Sequence, residues 1–372
     1  MTKRIRVLQV GKYYPPSRGG METTLEQLCQ GLKDVVDLQV LVANEGPDEV
    51  EETVDGVAVR RLGTALKIAS SPICPQLSRA MRQAHADVVH IHLPNPVALI
   101  THSFSGVEGK LVCTYHSDII RQRFLEKLIR PWHDRALREA AAIISTSPNL
   151  IESSPVLRRH RDRCTVIPFG IDPDAGNRVD ETEISALRKK FEPPVLLAVG
   201  RLVYYKGLEV LIRALAHVKA PCSLLIIGEG PLRQALQAEI NALGLAGRVH
   251  LLGNVPDTAP YYHACDVFVL ASIARSEAFG VVQLEAMACG KPVINTNLDT
   301  GVPFVSRHQE TGLTVPIGDS MALAEAIDHL LTDPELRARY GNAARERVKT
   351  EFTIEKMVER TLTVYQRVTG RL

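Results

Sequence analysis

The sequence predicts an α/β protein made of two parallel-sheet domains, and three observations carry that prediction. Short β-branched runs alternate with longer segments of helical period nearly throughout the chain, the signature of right-handed βαβ units. The 372 residues exceed what one core of roughly 150 residues holds. The alternation stops once, at the polar, turn-rich stretch IDPDAGNRVDETE (171–183), and then restarts.

The elements follow in order. IRVLQV (5–10) reads as a buried strand, and a helix starts near Met21, with Leu25, Leu28 and Leu32 on one face. LQVLVA (38–43), VAVRRL (57–62), DVVHIHL (87–93), KLVCTYH (110–116), AAIISTS (141–147) and CTVIPFG (164–170) continue the strands of a first domain over 1–171. The connecting stretch spans 172–192, and a second domain spans 193–352. It opens on the strand PVLLAVG (194–200) and a helix striped by Leu208, Leu211, Ile212 and Leu215. CSLLIIG, a helix with Leu232, Leu236 and Ile240, VHLLG, VFVLAS, a helix near 280–289 and PVINT follow. Amphipathic helices run from about Met321 to Leu331 and from about Pro334 to Arg367, the second interrupted near Phe352.

Composition excludes several classes. With 44 basic and 42 acidic side chains the net charge is +2, so no overall field attracts nucleic acid, and none is expected as a partner. Seven scattered cysteines without a C-x-x-C pair read as small buried hydrophobes rather than a metal or redox site. The N-terminal apolar run is about six residues, shorter than a signal-peptide core, and no segment approaches the roughly 20 apolar residues that span a bilayer. The expectation is a cytoplasmic protein. One segment, SDIIRQRFLEKLIRPWHDRALREAA, sets Arg121, Arg123, Lys127, Arg130, Arg135 and Arg138 around Ile120, Phe124, Leu128 and Trp132. It reads either as an ordinary surface helix or as a peripheral contact with an anionic membrane at its inner face.

Parallel α/β domains bind ligands outside the carboxyl ends of their strands, so the loops there carry the chemistry. GKYYPPSRGGMET enters the first helix at Gly19-Gly20, where backbone N–H groups can approach a phosphate closely; it is not a G-x-G-x-x-G fingerprint. GRLVYYKG (200–207) places Arg201 and Lys206 on one short loop, so both cations can converge on one polyanion. In SEAFGVVQLEAMACGKP, Glu277 precedes a helix and Glu285 lies in its second turn, about 8 Å of axial rise above its start. Glu285 interrupts an apolar, small-residue helix and needs a partner such as a sugar or ribose diol. The lone D-x-D, Asp172-Pro173-Asp174, falls in the connecting stretch and reads as turn chemistry, with no metal site expected.

The E-x7-E of Glu277 and Glu285, with GRL-x3-KG upstream and GEGP (228–231) between, resembles the retaining glycosyltransferases of the GT-B fold. PPSRGGMET, TYHSD, STSPNL and VIPFGID fall where that large bacterial family has its N-terminal landmarks, so the likeness covers essentially the whole chain. It implies two Rossmann-like domains facing each other across a cleft, with the C-terminal helix, about 353–372, packing back on the first. It also implies that Arg201 and Lys206 hold the donor diphosphate, and that Glu277 with the backbone of Phe279 and Gly280 holds the donor sugar. Glu285 would take the ribose hydroxyls, Gly19 and Gly20 the phosphate, and His116 would sit near the reacting carbon. GNVPDTAP (253–260) is the family's base-reading loop, where Val255 and Asp257 suit guanine and Pro260 does not. The expected donor is GDP-mannose ahead of UDP-sugars, the acceptor a glycan or lipid-linked saccharide, and the reaction needs no cofactor or metal. A UDP-sugar transferase and a non-catalytic nucleotide-sugar-binding protein stay open at this point.

Overall fold

The computed structural model describes residues 4–17, 19–68, 71–118, 123–177, 179–191 and 194–372, the side chains of 123–129 and 177 excepted. The chain forms two compact units, one of Met1–Gly170 with Ile354–Leu372, the other of Ile171–Thr353.

Among the described residues the first unit contains ten strands: β1 (Arg6–Val10), β2 (Asp37–Ala43), β3 (Val50–Val54), β4 (Val57–Leu62), β5 (Leu66–Ile68), β6 (Ser71–Ile73), β7 (Val88–Leu93), β8 (Lys110–Tyr115), β9 (Ala142–Ser145) and β10 (Cys164–Val166). Eight of them form one sheet in the order β10-β9-β8-β7-β1-β2-β4-β3. All pairs are parallel except β3 with β4. Helices cover both faces of such a sheet, so its central strands are apolar throughout. Every residue of β7 is buried, and that makes His90 and His92, both on this strand, anomalous. The C-terminal helix Ile354–Thr369 belongs to this unit and buries Met357, Val364 and Tyr365 in its core.

The second unit has six strands: β11 (Val195–Val199), β12 (Ser223–Ile227), β13 (Val249–Gly253), β14 (Val267–Leu270), β15 (Val293–Thr296) and β16 (Gly312–Val315). They form a fully parallel sheet in the order β13-β12-β11-β14-β15-β16, the arrangement of a doubly wound dinucleotide fold. The strand order reverses between β11 and β14, and the loops leaving the carboxyl ends of those two strands stand where such folds bind ligands.

The stretch 172–192, expected as a connection, folds with the second unit. It contains the helix Glu181–Phe191, whose partly buried Ile184 and Leu187 and buried Phe191 have helical spacing inside a polar segment. The Asp172 carboxylate accepts from the Asp174 amide at 2.9 Å, an Asx turn at the D-x-D. Strands β3, β5, β6 and β16 escaped the sequence reading. β3 is a polar edge whose residues VEETV are mostly exposed, and β16 is four residues long and starts on a glycine. Among the described residues no helix is long and apolar enough to cross a membrane.

Candidate functional site

At the reversal point of the second sheet, glycines decide how closely the loops approach. Gly207 follows the loop after β11 with φ +62°, and a Cβ there would lie 2.0 Å from the Ala271 carbonyl oxygen at the end of β14. The Ile273 amide also donates to the Tyr205 carbonyl at 2.8 Å. Gly200, at φ +147°, leaves room for the Lys206 chain, whose Cε would stand 2.9 Å from a Cβ. Gly228 and Gly230 let the loop after β12 lie on residues 200–202, with prospective Cβ contacts of 2.1 Å to the Gly200 carbonyl and 2.5 Å to that of Leu202.

These approaches bring Lys206 and Glu277 together. Lys206 Nζ lies 2.6 Å from Glu277 Oε2, and both side chains are nearly buried, at 12% and 11% exposure. The Ser272 hydroxyl donates to the same oxygen at 3.0 Å. Glu277 Oε1 has no partner among the described residues. Arg201, on the same loop, is exposed and forms no ion pair among the described residues, so its charge is available.

Glu285 lies in the second turn of the helix Val281–Ala288, whose N-cap Gly280 has φ +74° and would drive a Cβ to 2.7 Å from Leu270. The buried Tyr262 hydroxyl donates to Glu285 Oε2 at 2.6 Å, and Oε1 has no partner among the described residues. Burial raises the Glu285 pKa above the usual carboxylate range, while the Tyr262 hydrogen bond and the Lys206 charge pull it back. Thus each carboxylate is anchored through one oxygen and presents the other. Phe279 is buried, edge-on to Phe352 at 6.2 Å. Val255 is half-buried, and the Asp257 carboxylate accepts from the Ala259 amide at 2.9 Å, an Asx turn just before the helix Ala259–Ala264. That bond engages one oxygen of the carboxylate the sequence reading offered to guanine.

In the first unit Gly19 is the N-cap of the helix Gly20–Leu32, with extended φ of −175°. A Cβ on Gly20 would meet nothing within 4 Å, so internal packing does not demand a glycine there. His116 follows β8, is 5% exposed, and stacks obliquely on Phe169 at 5.1 Å. Its Nε2 is 3.1 Å from His92 Nδ1. Burial first, and His92 second, hold the His116 pKa well below the usual imidazole value; burial alone takes His92 to about 4. Both rings are neutral at pH 7.

The structure therefore joins Lys206 to Glu277 within the second unit, and it supplies three residues the sequence reading missed. Tyr262 and Ser272 carried no signal, because only the fold brings them to the acids. His92 did carry one, as the second of two histidines alternating in an apolar strand. In the basic segment, Ile120 and Arg121 lie outside the described residues, as do the side chains of 123–129. Of the rest, Arg130 pairs with Asp134 at 3.7 Å and Arg135 with Glu139 at 2.8 Å.

Comparison with known proteins identifies the family and the fold. Residues 179–347 match the family model described as Glycosyl transferases group 1, and residues 18–175 match Glycosyltransferase Family 4. The chain is 36% identical over 355 residues to D-rhamnosyltransferase WbpZ of Pseudomonas aeruginosa, covering 94% of this chain and 92% of that one. It is 31% identical over 367 residues to O-antigen chain mannosyltransferase C of Escherichia coli, covering 97% and 98%. Among solved structures, Anabaena Alr3699/HepE in complex with UDP superposes with a TM-score of 0.81 at 22% identity, over 98% of this chain and all of that one, a likeness of fold.

Proposed function

Because this chain belongs to the group 1 glycosyltransferases and has their GT-B fold, we propose that it transfers a mannose-type hexose from a GDP-sugar to a glycan or lipid-linked acceptor. Transfer retains anomeric configuration and uses no metal ion. The observation that carries the donor reading is the pair of half-engaged carboxylates beside an unpaired arginine at the reversal point of the second sheet. Glu277 Oε1 accepts from a hydroxyl of the sugar, and Glu285 Oε1 from the ribose. Arg201 and Lys206 meet the diphosphate. The names of the two relatives support the hexose, since D-rhamnose differs from mannose only by lacking the C6 hydroxyl, and both relatives cover nearly the whole chain.

In the proposed reaction the bond from the anomeric carbon to the diphosphate oxygen lengthens, and negative charge gathers on the leaving phosphate. Fixed cations placed where that charge develops lower the barrier. Without donor, the Lys206 charge is spent on Glu277; with donor bound, it is shared between carboxylate and phosphate. The acceptor oxygen then bonds to the anomeric carbon on the face being vacated, and its proton passes to the departing phosphate. His116, neutral and next to strand β8, serves as a hydrogen-bonding group toward the sugar. We do not extend the proposal to an anionic membrane, because Arg130 and Arg135 already have acidic partners.

One observation favours a second reading, a UDP-sugar donor: Asp257 already accepts from the Ala259 amide through one carboxylate oxygen, which leaves a single acceptor for guanine's two donors, and Pro260, buried in the first turn of the helix Ala259–Ala264, offers none. A thermal-shift series with GDP, GDP-mannose, UDP and UDP-glucose separates the two. At 100 times its dissociation constant a ligand adds about 2.7 kcal/mol of stability. The expected result is a clear rise in Tm with the guanine pair; a rise with the uracil pair alone replaces the donor, and no rise with any of the four defeats the donor-binding reading.

A further inference from the structure

Beneath His116 the first unit contains a closed hydrogen-bonded chain that the proposed reaction does not by itself explain. Gln9 lies on β1, His90 and His92 on β7, Thr114 on β8, and Tyr365 on the C-terminal helix; all five are buried. Gln9 Nε2 donates to the Tyr365 hydroxyl oxygen at 2.8 Å. That hydroxyl is 2.5 Å from His90 Nδ1, and His90 Nε2 is 2.7 Å from Thr114 Oγ1. In the other direction, Gln9 Oε1 is 3.0 Å from His92 Nε2, and His92 Nδ1 is 3.1 Å from His116 Nε2.

With the Gln9 amide turned so that Nε2 donates to Tyr365, donor and acceptor counting sets the protons along this chain. The amide oxygen can only accept, so His92 must donate through Nε2. A neutral imidazole has one N–H, so His92 Nδ1 is an acceptor and His116 must donate to it through Nε2. His116 then has its lone pair on Nδ1. That atom has no partner among the described residues, and it is not among the sealed, unsatisfied polar atoms. At the other end, Tyr365 accepts from Gln9 and donates to His90 Nδ1. A short O–H to N contact suits the phenol, which is the stronger acid of the two. His90 therefore donates through Nε2 to Thr114. Reversing the Gln9 amide would reverse each of these bonds and place the His116 proton on Nδ1 instead.

We infer that Gln9, anchored by Tyr365, acts through His92 as a positioning residue that sets the tautomer of His116, presenting Nδ1 as a hydrogen-bond acceptor. Resting on the sugar-facing role proposed for His116, the consequence is that its open nitrogen receives a hydroxyl and does not donate to an oxyanion. A tautomer error at an orienting histidine is costly, because the nitrogen facing the reacting group then carries a proton where a lone pair is needed.

Long-range 1H–15N NMR of the full-length protein, with His116 assigned through His116→Asn, reads the tautomer directly. The expected spectrum shows a single species with His116 Nδ1 unprotonated. In Gln9→Met, which keeps the volume and removes both bonds, and in Tyr365→Phe, which frees the amide to turn, His116 should become a mixture of tautomers. With donor saturating, kcat should fall about tenfold in Gln9→Met, matching the loss of about 1.4 kcal/mol, and donor KM should stay near the parent value. A parent spectrum with Nδ1 protonated overturns the inference, as does a single unchanged tautomer in both variants. If Gln9→Met does not fold, the parent spectrum and Tyr365→Phe still decide. Should the tautomers behave as expected while His116→Asn transfers normally, the relay stands and the role of His116 in transfer fails.

Discussion

Glu285 shows how a single buried acid can oppose stability. It lies partly buried, its pKa raised by burial and only partly restored by Tyr262 and Lys206. For an acid whose folded pKa lies above its unfolded value, the folded state binds the extra proton, so ionised Glu285 weakens the fold above that pKa and is neutral in effect below the ordinary value of 4.5. Glu285→Gln should therefore melt higher than the parent at pH 7 to 8, and the gain should disappear toward pH 4; a gain independent of pH would rule out ionisation as its source. The same change removes the acceptor proposed for the ribose. A hydrogen bond to a charged group contributes about 1.5–3 kcal/mol, so donor KM should rise roughly 10- to 100-fold. Glu285 was legible in the sequence, because a carboxylate in an apolar helix is an anomaly wherever it occurs, and Glu277, which precedes that helix, was legible through its E-x7-E spacing from it. Their anchors were not. The 2.6 Å contact of Lys206 with Glu277 depends on β11 and β14 being neighbours, a fact of strand order and not of local spacing.

At the scale of elements, alternation of apolar runs revealed the interior strands of both sheets, since a strand covered on both faces has no polar side to hide its signal. It did not reveal β3, whose edge position lets it be polar, nor the helix Glu181–Phe191, which buries a narrow stripe. The C-terminal helix was legible as a helix, but its resting place on the helix Gly20–Leu32 depends on Gly31. A Cβ on Gly31 would lie 2.3 Å from Val358 Cγ2 and 3.3 Å from its Cβ, and a β-branched side chain cannot swing away as a flexible one would. Gly31→Ala thus sets two effects against each other. Helix propensity favours alanine by about 1 kcal/mol, whereas overpacking costs about 1–3 kcal/mol, and the short contact makes the second the larger. Denaturant unfolding should show a net loss of about 1 kcal/mol. Adding Val358→Ala, which removes the colliding methyl, should recover part of it; no loss in Gly31→Ala would mean that the helices separate freely.

At the scale of the molecule, the two units are unequal in how the chain completes them. The second is one continuous segment, Ile171–Thr353, and among the described residues its core, from Leu196 to Tyr340, lies within it. The first is discontinuous: Met1–Gly170 lacks Met357, Val364 and Tyr365 of its core until Ile354–Leu372 is added. Without that helix Gln9 Nε2 and His90 Nδ1 lose the Tyr365 hydroxyl, and each buried polar atom left unpaired costs about 1–3 kcal/mol. A fragment of residues 1–170 should consequently be aggregation-prone or partly folded, while 171–353 should unfold cooperatively on its own. The fragment 171–353 also contains every side chain proposed to hold the nucleotide and its diphosphate: Arg201, Lys206 and Glu285. Calorimetric titration with GDP should give it an affinity within about threefold of the full chain, a difference under 1 kcal/mol. A folded 171–353 fragment that binds at least a hundredfold more weakly would show that the donor also draws on residues of the first unit, and Gly20, whose open surroundings give packing no reason for a glycine, would be the first to test by Gly20→Ala.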